Sequence, residues 1–97
     1  MVGYGSLYPK FIHHRASSLP SKANYPQSIP CKEGFQSMYN NAPNPNILVG
    51  AVMGGPYNMD RFTDVRKNYD QSEPSTYING PLVGSLSYLA QRLMLYF

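Results

Sequence analysis

Two carboxylic acids attract attention in this chain because acids are scarce and these two lie among aromatic and basic residues. Asp64 and Glu73 are nine residues apart, and the chain has only three other acids among its 97 residues. One interpretation is a solvated loop whose acids face nearby arginines and lysines, which is the commoner fate of acidic loop residues. The other is a sugar-cleaving site, where one carboxyl group protonates a leaving oxygen and a second carboxylate activates water or stabilises charge.

The spacing around these acids follows a longer pattern. It runs aromatic, any residue, Asp, four residues, aromatic, three residues, Glu, any residue, a small residue, three residues and Asn. Its positions here are Phe62, Asp64, Tyr69, Glu73, Ser75 and Asn79. The pattern resembles the second active-site signature of glycoside hydrolase family 9.

Two upstream stretches carry the same resemblance. NPNILVGAVMGGP resembles the segment before this signature in plant endo-1,4-β-glucanases. MVGYGSLYPKFIHHRASSLPS resembles the family's first signature, which ends in His-any-Arg at His13 and Arg15. Two signatures in the family's order and at its separation form a stronger signal than one short motif. Four positions depart from the residues that the family or its plant members prefer: Leu7, Ala16, Tyr57 and Gly80.

The resemblance implies catalytic roles for two acids. Glu73 would be the general acid, and Asp64, close to Arg66 in sequence, would stay ionised and orient or stabilise other groups. Because a general acid must arrive protonated, Glu73 needs apolar cover, and Tyr69 and Tyr77 are the candidates to supply it.

The resemblance also implies residues that contact the sugar. His13 would be the active-site histidine, which hydrogen-bonds a sugar hydroxyl beside the cleaved bond. Arg15 would add a charge-assisted, forked bond, and Tyr69 would bind substrate. Phe35 and Tyr39, four residues apart, are interpreted as packing residues rather than binding residues.

The family cleaves with inversion, which also requires a carboxylate base about 6.5–9.5 Å from the acid. The family takes this base from an Asp-rich motif near the start of its catalytic domain, an (α/α)6 barrel several times longer than this chain, and residues 1–97 contain no such motif. We therefore expect a C-terminal part of that domain, whose parent hydrolyses 1,4-β-glucosidic linkages in cellulose and related β-glucans. The alternatives are an inactive remnant and a piece that binds glucan weakly without cleaving it.

Charge and composition argue against several other functions. The net charge is +3 with dispersed basic residues, so nucleic acid is a poor candidate partner. A small basic protein that binds polyanions is a third hypothesis, and it predicts salt-sensitive binding. No metal ligands occur at zinc-like spacing and the family implies no cofactor. Cys31 is the lone cysteine, so it is either unpaired or bonded to a cysteine outside this chain.

Targeting signals are also missing from the sequence. No apolar run reaches the roughly 18 residues that a membrane span needs. The first residues lack the basic and apolar regions of a signal peptide. The resemblance nevertheless implies a parent that is secreted or located in the cell wall.

The expected architecture is mainly α with long irregular loops. Residues 1–8 are the end of an apolar helix or an extended turn, and the proline-rich residues 20–46 are irregular. The apolar run at residues 47–53 predicts a short buried strand, although a buried turn fits it as well; the resemblance implies an extended stretch.

The last helix is predicted to open at Glu73, with Pro74 in its first turn. Its regular part is predicted to begin at Pro81 with Asn79 as the cap. A stripe of apolar residues at helical spacing is predicted to face a core: Leu82, Val83, Leu86, Leu89, Ala90 and Leu93.

Overall fold

The computed structural model describes residues 1–96 and contains four α-helices joined by long irregular segments. They are α1 (Arg15–Ser18), α2 (Gly34–Met38), α3 (Tyr69–Ser72) and α4 (Thr76–Tyr96). Two 3-10 turns cover Cys31–Glu33 and Asn58–Asp60. Residues 1–96 form no strand, only an isolated bridge between Tyr57 and Arg61. The prediction of a mainly helical chain with long irregular loops is confirmed.

The apolar core is small and forms where the N-terminal residues meet the run at residues 47–53. Val2, Ile12, Ala51 and Met53 are buried there. Backbone bonds join Val2 N–H to the Ala51 carbonyl and the N–H of residue 50 to the Val2 carbonyl, each 2.9 Å long. A core this small contributes little hydrophobic stabilisation, so polar contacts must contribute a larger share of the stability of the fold.

Of the two structures that fit the apolar run at residues 47–53, the structure shows the turn and not the strand. Val49 donates its N–H to Ile47 O at 3.0 Å, and Ala51 donates to Leu48 O at 3.2 Å, which are bonds of tight turns. A strand needs a second strand beside it that continues the ladder of backbone hydrogen bonds. Here the N-terminal segment bonds to residues 50 and 51 through Val2 and then turns away. Residues 1–8 are turns rather than the end of a helix, with positive φ at Gly3 and Gly5.

The irregular residues between α1 and the core are held by asparagine side chains. The Asn46 Nδ2 amide donates to the carbonyls of Ala16 and Leu19 at 2.9 and 2.6 Å. Ser17, which is buried, donates its hydroxyl to Asn46 O at 2.7 Å. Such side-chain bonds replace the backbone ladders that a segment rich in proline cannot form.

The start of α4 differs from the prediction. Glu73 is extended (φ −92°, ψ 120°), and α4 begins at Thr76 after Pro74. The proline explains why Glu73 stays outside the helix, because the residue before a proline is driven out of the helical region. The helix then continues through Pro81, which cannot bond back to the Tyr77 carbonyl.

Asn79 is not the cap of α4. It lies inside the helix, and its side-chain amide binds the backbone of Val52. Its Oδ1 accepts the N–H of Val52 at 3.1 Å, and its Nδ2 donates to the Val52 carbonyl at 3.2 Å. The amide thus satisfies both backbone groups of one residue, as a neighbouring strand would. Through this pair α4 is attached to the core segment.

The apolar face of α4 is exposed, which contradicts the prediction that it faces a core. All the predicted stripe residues are exposed except Leu82, which is half-buried. The chain's accessible surface is 7336 Å², whereas a compact protein of 10.9 kDa exposes about 5,600 Å². The difference arises because helical spacing predicts which face is apolar but not whether another element is present to cover it.

We expect substitutions that shorten the apolar side chains of α4 to change the free energy of unfolding only slightly. Leu86→Ala and Leu93→Ala should each change the free energy of unfolding by less than about 0.5 kcal/mol, because both side chains are already exposed to water. Ile12→Ala should cost about 2–5 kcal/mol, because Ile12 is buried in the core. Urea unfolding at two protein concentrations measures all three. A cost of 2 kcal/mol or more at either leucine would show instead that α4 is packed in solution.

Among the helices that residues 1–96 form, none combines the length and the apolar character that crossing a bilayer requires.

Candidate functional site

His13 is held by two backbone carbonyls that fix both its main chain and its ring. Its N–H donates to Ser72 O at 3.0 Å, and its Nδ1 lies 2.8 Å from Arg66 O. A carbonyl can only accept, so Nδ1 carries the hydrogen of this bond. In the neutral ring Nε2 is then left as an acceptor for a hydroxyl group.

Tyr69 lies next to the His13 ring. Their ring centroids are 6.0 Å apart with the planes tilted by 60°, and Tyr69 is exposed. Tyr69 begins α3, whose Ser72 hydroxyl bonds Asn68 O at 2.8 Å and Arg66 O at 3.2 Å. The position of α3 is therefore coupled to the carbonyl that orients His13.

Asp64 connects this region to the N-terminal segment. Its two carboxylate oxygens accept the backbone N–H groups of Lys10 and Phe11 at 2.7 and 3.0 Å. Charge-assisted bonds of this type are roughly twice as strong as neutral ones. Asp64 thereby holds the backbone that leads into His13, although the two segments are more than 50 residues apart in sequence.

Arg66 is the most heavily bonded side chain of the site. It is only 4% exposed, and its guanidinium donates to Asn44 Oδ1 at 2.8 Å and to four carbonyls at 2.8–3.3 Å: Ser37, Met38, Asn40 and Ala42. Burial lowers the pKa of Arg66 below its ordinary value, and the charge of Asp64 opposes this effect. An arginine nevertheless keeps its charge at any working pH.

Asn44 extends this network to the first signature. Its Nδ2 donates to Ile12 O at 2.9 Å and to Ser17 Oγ at 3.0 Å, and its N–H donates to Lys10 O at 2.9 Å. Arg66 and Asn44 together join residues 37–44 to the backbone on either side of His13. Sequence reasoning missed both roles, and no local pattern marks them, because the partners of Arg66 are 22–29 residues away.

Arg15 contacts backbone in this chain. Its guanidinium donates to Ile29 O and Pro30 O at 3.3 Å and to Cys31 O at 3.5 Å. The guanidinium lies against Gly34, where an added β-carbon would overlap it. The sequence predicted a sugar contact for Arg15, which stays a prediction; the contacts that the structure shows support the turn from residue 29 to residue 34.

Gly34→Ala should displace Arg15, because the new methyl group occupies the place of the guanidinium. We expect the backbone amide signals of residues 29–34 to move in NMR spectra of the variant. Gly80→Ala is the matched control, since a β-carbon there meets no atom within 4 Å. Unchanged signals at residues 29–34 in Gly34→Ala would show that Arg15 does not hold this turn in solution.

Glu73 lies on the surface immediately after the residue that binds His13. Its N–H donates to Tyr69 O at 3.0 Å, which closes α3, and its side chain is exposed. Tyr69 and Tyr77, the residues expected to cover it, are themselves exposed. The expected apolar cover is thus not provided by these tyrosines, because the chain turns outward at Glu73 to start α4.

The structure brings the predicted residues into one region to different degrees. His13, Tyr69 and the backbone of Arg66 are in direct contact, and Ser72 places the His13 loop beside Glu73. Asp64 reaches this region through the backbone that it binds at Lys10 and Phe11. The arrangement can orient the His13 imidazole as a hydrogen-bond acceptor, on a loop whose backbone is bonded to the residue before Glu73.

Comparison with known proteins agrees with these motifs. The family model for glycosyl hydrolase family 9 matches residues 1–86. Endoglucanase 1 and Endoglucanase 2 of Persea americana are 62% and 60% identical to the chain over 90 residues, and Endoglucanase 3 of Oryza sativa subsp. japonica is 60% identical. Each alignment covers 93% of this chain, but 18%, 69% and 18% of the three relatives respectively. The chain therefore spans less than a fifth of the length of the first and third relatives. Matched by the family model over most of its length, this chain belongs to glycosyl hydrolase family 9.

Proposed function

We propose that this chain is the acid-bearing part of a catalytic domain that hydrolyses 1,4-β-glucosidic linkages in cellulose and related glucans. Glu73 protonates the leaving oxygen, and a base outside these residues activates water, as inversion requires. The observation that supports this most is the pair of bonds that fix His13 to Ser72 O and Arg66 O, directly beside Glu73.

The remaining site residues take supporting roles in this proposal. His13 accepts a hydrogen from a sugar hydroxyl through Nε2, and Tyr69 offers its exposed ring to the sugar beside it. Asp64 orients the backbone before His13 through its bonds to Lys10 and Phe11. Arg15 contacts the sugar with the donor capacity that its backbone bonds leave.

We also propose that α4 packs in an (α/α)6 barrel in the longer parent. The exposed apolar residues of α4 support this, because a soluble monomer rarely leaves a large contiguous apolar surface uncovered. The same packing would supply the apolar cover that Glu73 lacks here. A parent that is secreted or located in the cell wall is part of the proposal, since its substrate is a wall polysaccharide.

A second candidate is weak glucan binding by residues 1–97 themselves, without cleavage. It is favoured by a surface groove of about 160 Å³ that is lined by His13, Arg15 and the exposed residue Phe35. This function requires neither the base nor cover for Glu73.

The proposed function is tested with a chimera in which this chain replaces the matching segment of a longer relative. Residues 1–90 would replace the aligned 90 residues of Endoglucanase 1 from Persea americana, and hydrolysis of soluble cellulose would be measured. We expect the chimera to hydrolyse it and residues 1–97 alone to show no sustained hydrolysis. A folded but inactive chimera would overturn the proposal, and activity of residues 1–97 alone would overturn the requirement for an external base.

A further inference from the structure

The groove beside His13 is lined by polar and by apolar side chains. His13 and Arg15 are among the polar ones, and Phe35 and Met38 of α2 are the large apolar ones. Arg66 also lines it but is occupied by its bonds to backbone carbonyls. Side chains from three separate stretches of the chain therefore converge on one concavity, as in small-molecule sites.

Phe35 is held in this groove without being buried. It is 59% exposed, and its ring is stacked on that of Tyr39 with 6.5 Å between centroids and 17° between planes. Tyr39 is 57% exposed, so the pair is not a packed core. A packing role explains the contact between the two rings but leaves the open face of Phe35 without a function.

The support for Phe35 comes from the residues around it. Arg15 binds the carbonyls of residues 29–31, directly before α2, and rests against Gly34. Arg66 binds the carbonyls of Ser37 and Met38 at the end of α2. The short helix is thus tied at both ends, and the position of the Phe35 ring relative to His13 is set by these ties.

The lining selects a neutral ligand with both apolar and hydroxylated sides. No acidic residue lines the groove, so a cation would have no counter-charge there. The guanidinium groups of Arg15 and Arg66 already donate to carbonyls, so fewer of their N–H groups are free to bond an anion. A pyranose ring presents C–H faces that stack on an aromatic ring and hydroxyls that bond to a neutral imidazole.

We propose that Phe35 is the stacking platform of a glucosyl subsite, in which His13 Nε2 accepts a hydroxyl hydrogen from the same sugar. This inference rests on the proposed function for its substrate class and adds a binding residue to it. The subsite belongs to residues 1–97, so it operates without the rest of a catalytic domain.

The test is an NMR titration of the complete chain of 97 residues with cellohexaose. We expect the His13 ring and Phe35 signals to shift together, and Phe35→Ala to weaken binding about 3- to 10-fold. Phe35→Tyr should restore binding because it keeps the ring. Tyr4→Ala is the matched control: it removes an exposed aromatic ring that does not line this groove, and it should leave the affinity unchanged. If Phe35→Ala does not fold, Phe35→Leu removes the ring while keeping an apolar side chain.

The remaining outcomes separate this inference from the proposed function. Shifts at His13 with undiminished affinity in Phe35→Ala and Phe35→Leu would overturn the role of Phe35 as a stacking platform but not the proposed function. No shift in the groove would overturn the subsite, whereas the barrel chimera could still hydrolyse cellulose. Tighter binding of an oligogalacturonate than of cellohexaose would overturn the assignment to a neutral sugar. An inactive chimera with a Phe35-dependent shift would overturn the proposed cleavage and leave the subsite intact.

Discussion

Glu73→Gln in the barrel chimera should lower kcat on soluble cellulose by about 10²–10⁴-fold. Glutamine has nearly the same shape but no proton to transfer to the leaving oxygen. Glu73 is at the surface of this chain, after α3 and before α4, so the substitution should not disturb the core. The expected loss is therefore one of chemistry rather than of folding, and the unfolding midpoint of residues 1–97 carrying the same substitution should not move.

The choice of substrate distinguishes a proton donor from a merely structural residue. A cellobioside with an activated aryl leaving group needs little protonation, so Glu73→Gln should slow its hydrolysis far less than that of cellulose. Glu33→Gln is the matched control, since Glu33 is an exposed glutamate in a 3-10 turn outside the signature. Equal losses on both substrates would assign Glu73 a role in binding or structure instead.

Arg66→Ala should be the most destabilising substitution in the site, lowering the free energy of unfolding by at least about 3 kcal/mol. The variant removes the donors that pair four carbonyls and Asn44. Bonds to a charged group are worth about 1.5–3 kcal/mol each, and the loss falls below their sum because loop carbonyls can turn toward water. A small apolar core offers little reserve against such a loss.

Variants of Arg66 and of the nearby Arg61 test whether the geometry or the charge of the Arg66 guanidinium is responsible for its contribution to stability. Arg66→Lys keeps the charge but loses the planar fork, so we expect an intermediate loss. Arg61→Ala is the control: Arg61 is exposed, its side chain bonds Asn58 Oδ1 at 3.2 Å, and its loss should cost less than about 0.5 kcal/mol. Urea unfolding measures all three. An Arg66→Ala variant with the midpoint of the unaltered chain would contradict the role given to this network.

Arg66 also links stability to the site. Its own carbonyl orients His13 at Nδ1, while its side chain holds residues 37–44. A change at this position should therefore alter the His13 ring signals even in the Arg66→Lys variant, if that variant folds. One buried residue thus holds both α2, which carries Phe35, and the His13 ring, which lines the same groove.

Local patterns in the sequence were sufficient for the family and for part of the architecture. The spacing of Asp64, Tyr69, Glu73 and Asn79 identified the signature, and the family model agrees with that assignment. Proline density predicted the irregular middle of the chain, and helical periodicity predicted a final helix. These features depend on neighbours within a few residues, which is the range that periodicity and turn chemistry describe.

Only the tertiary structure decided how these residues are held. Asp64 binds backbone 53–54 residues away, and Asn79 binds Val52 at a separation of 27. The partners of Arg66 lie at the end of α2 and in the segment after it, which no motif connects to Arg66. The apolar face of α4 is exposed, and Glu73 lies outside the helix that was expected to begin with it. Sequence patterns report the preferences of a segment, whereas burial and long-range hydrogen bonds depend on which other segments are present to meet it.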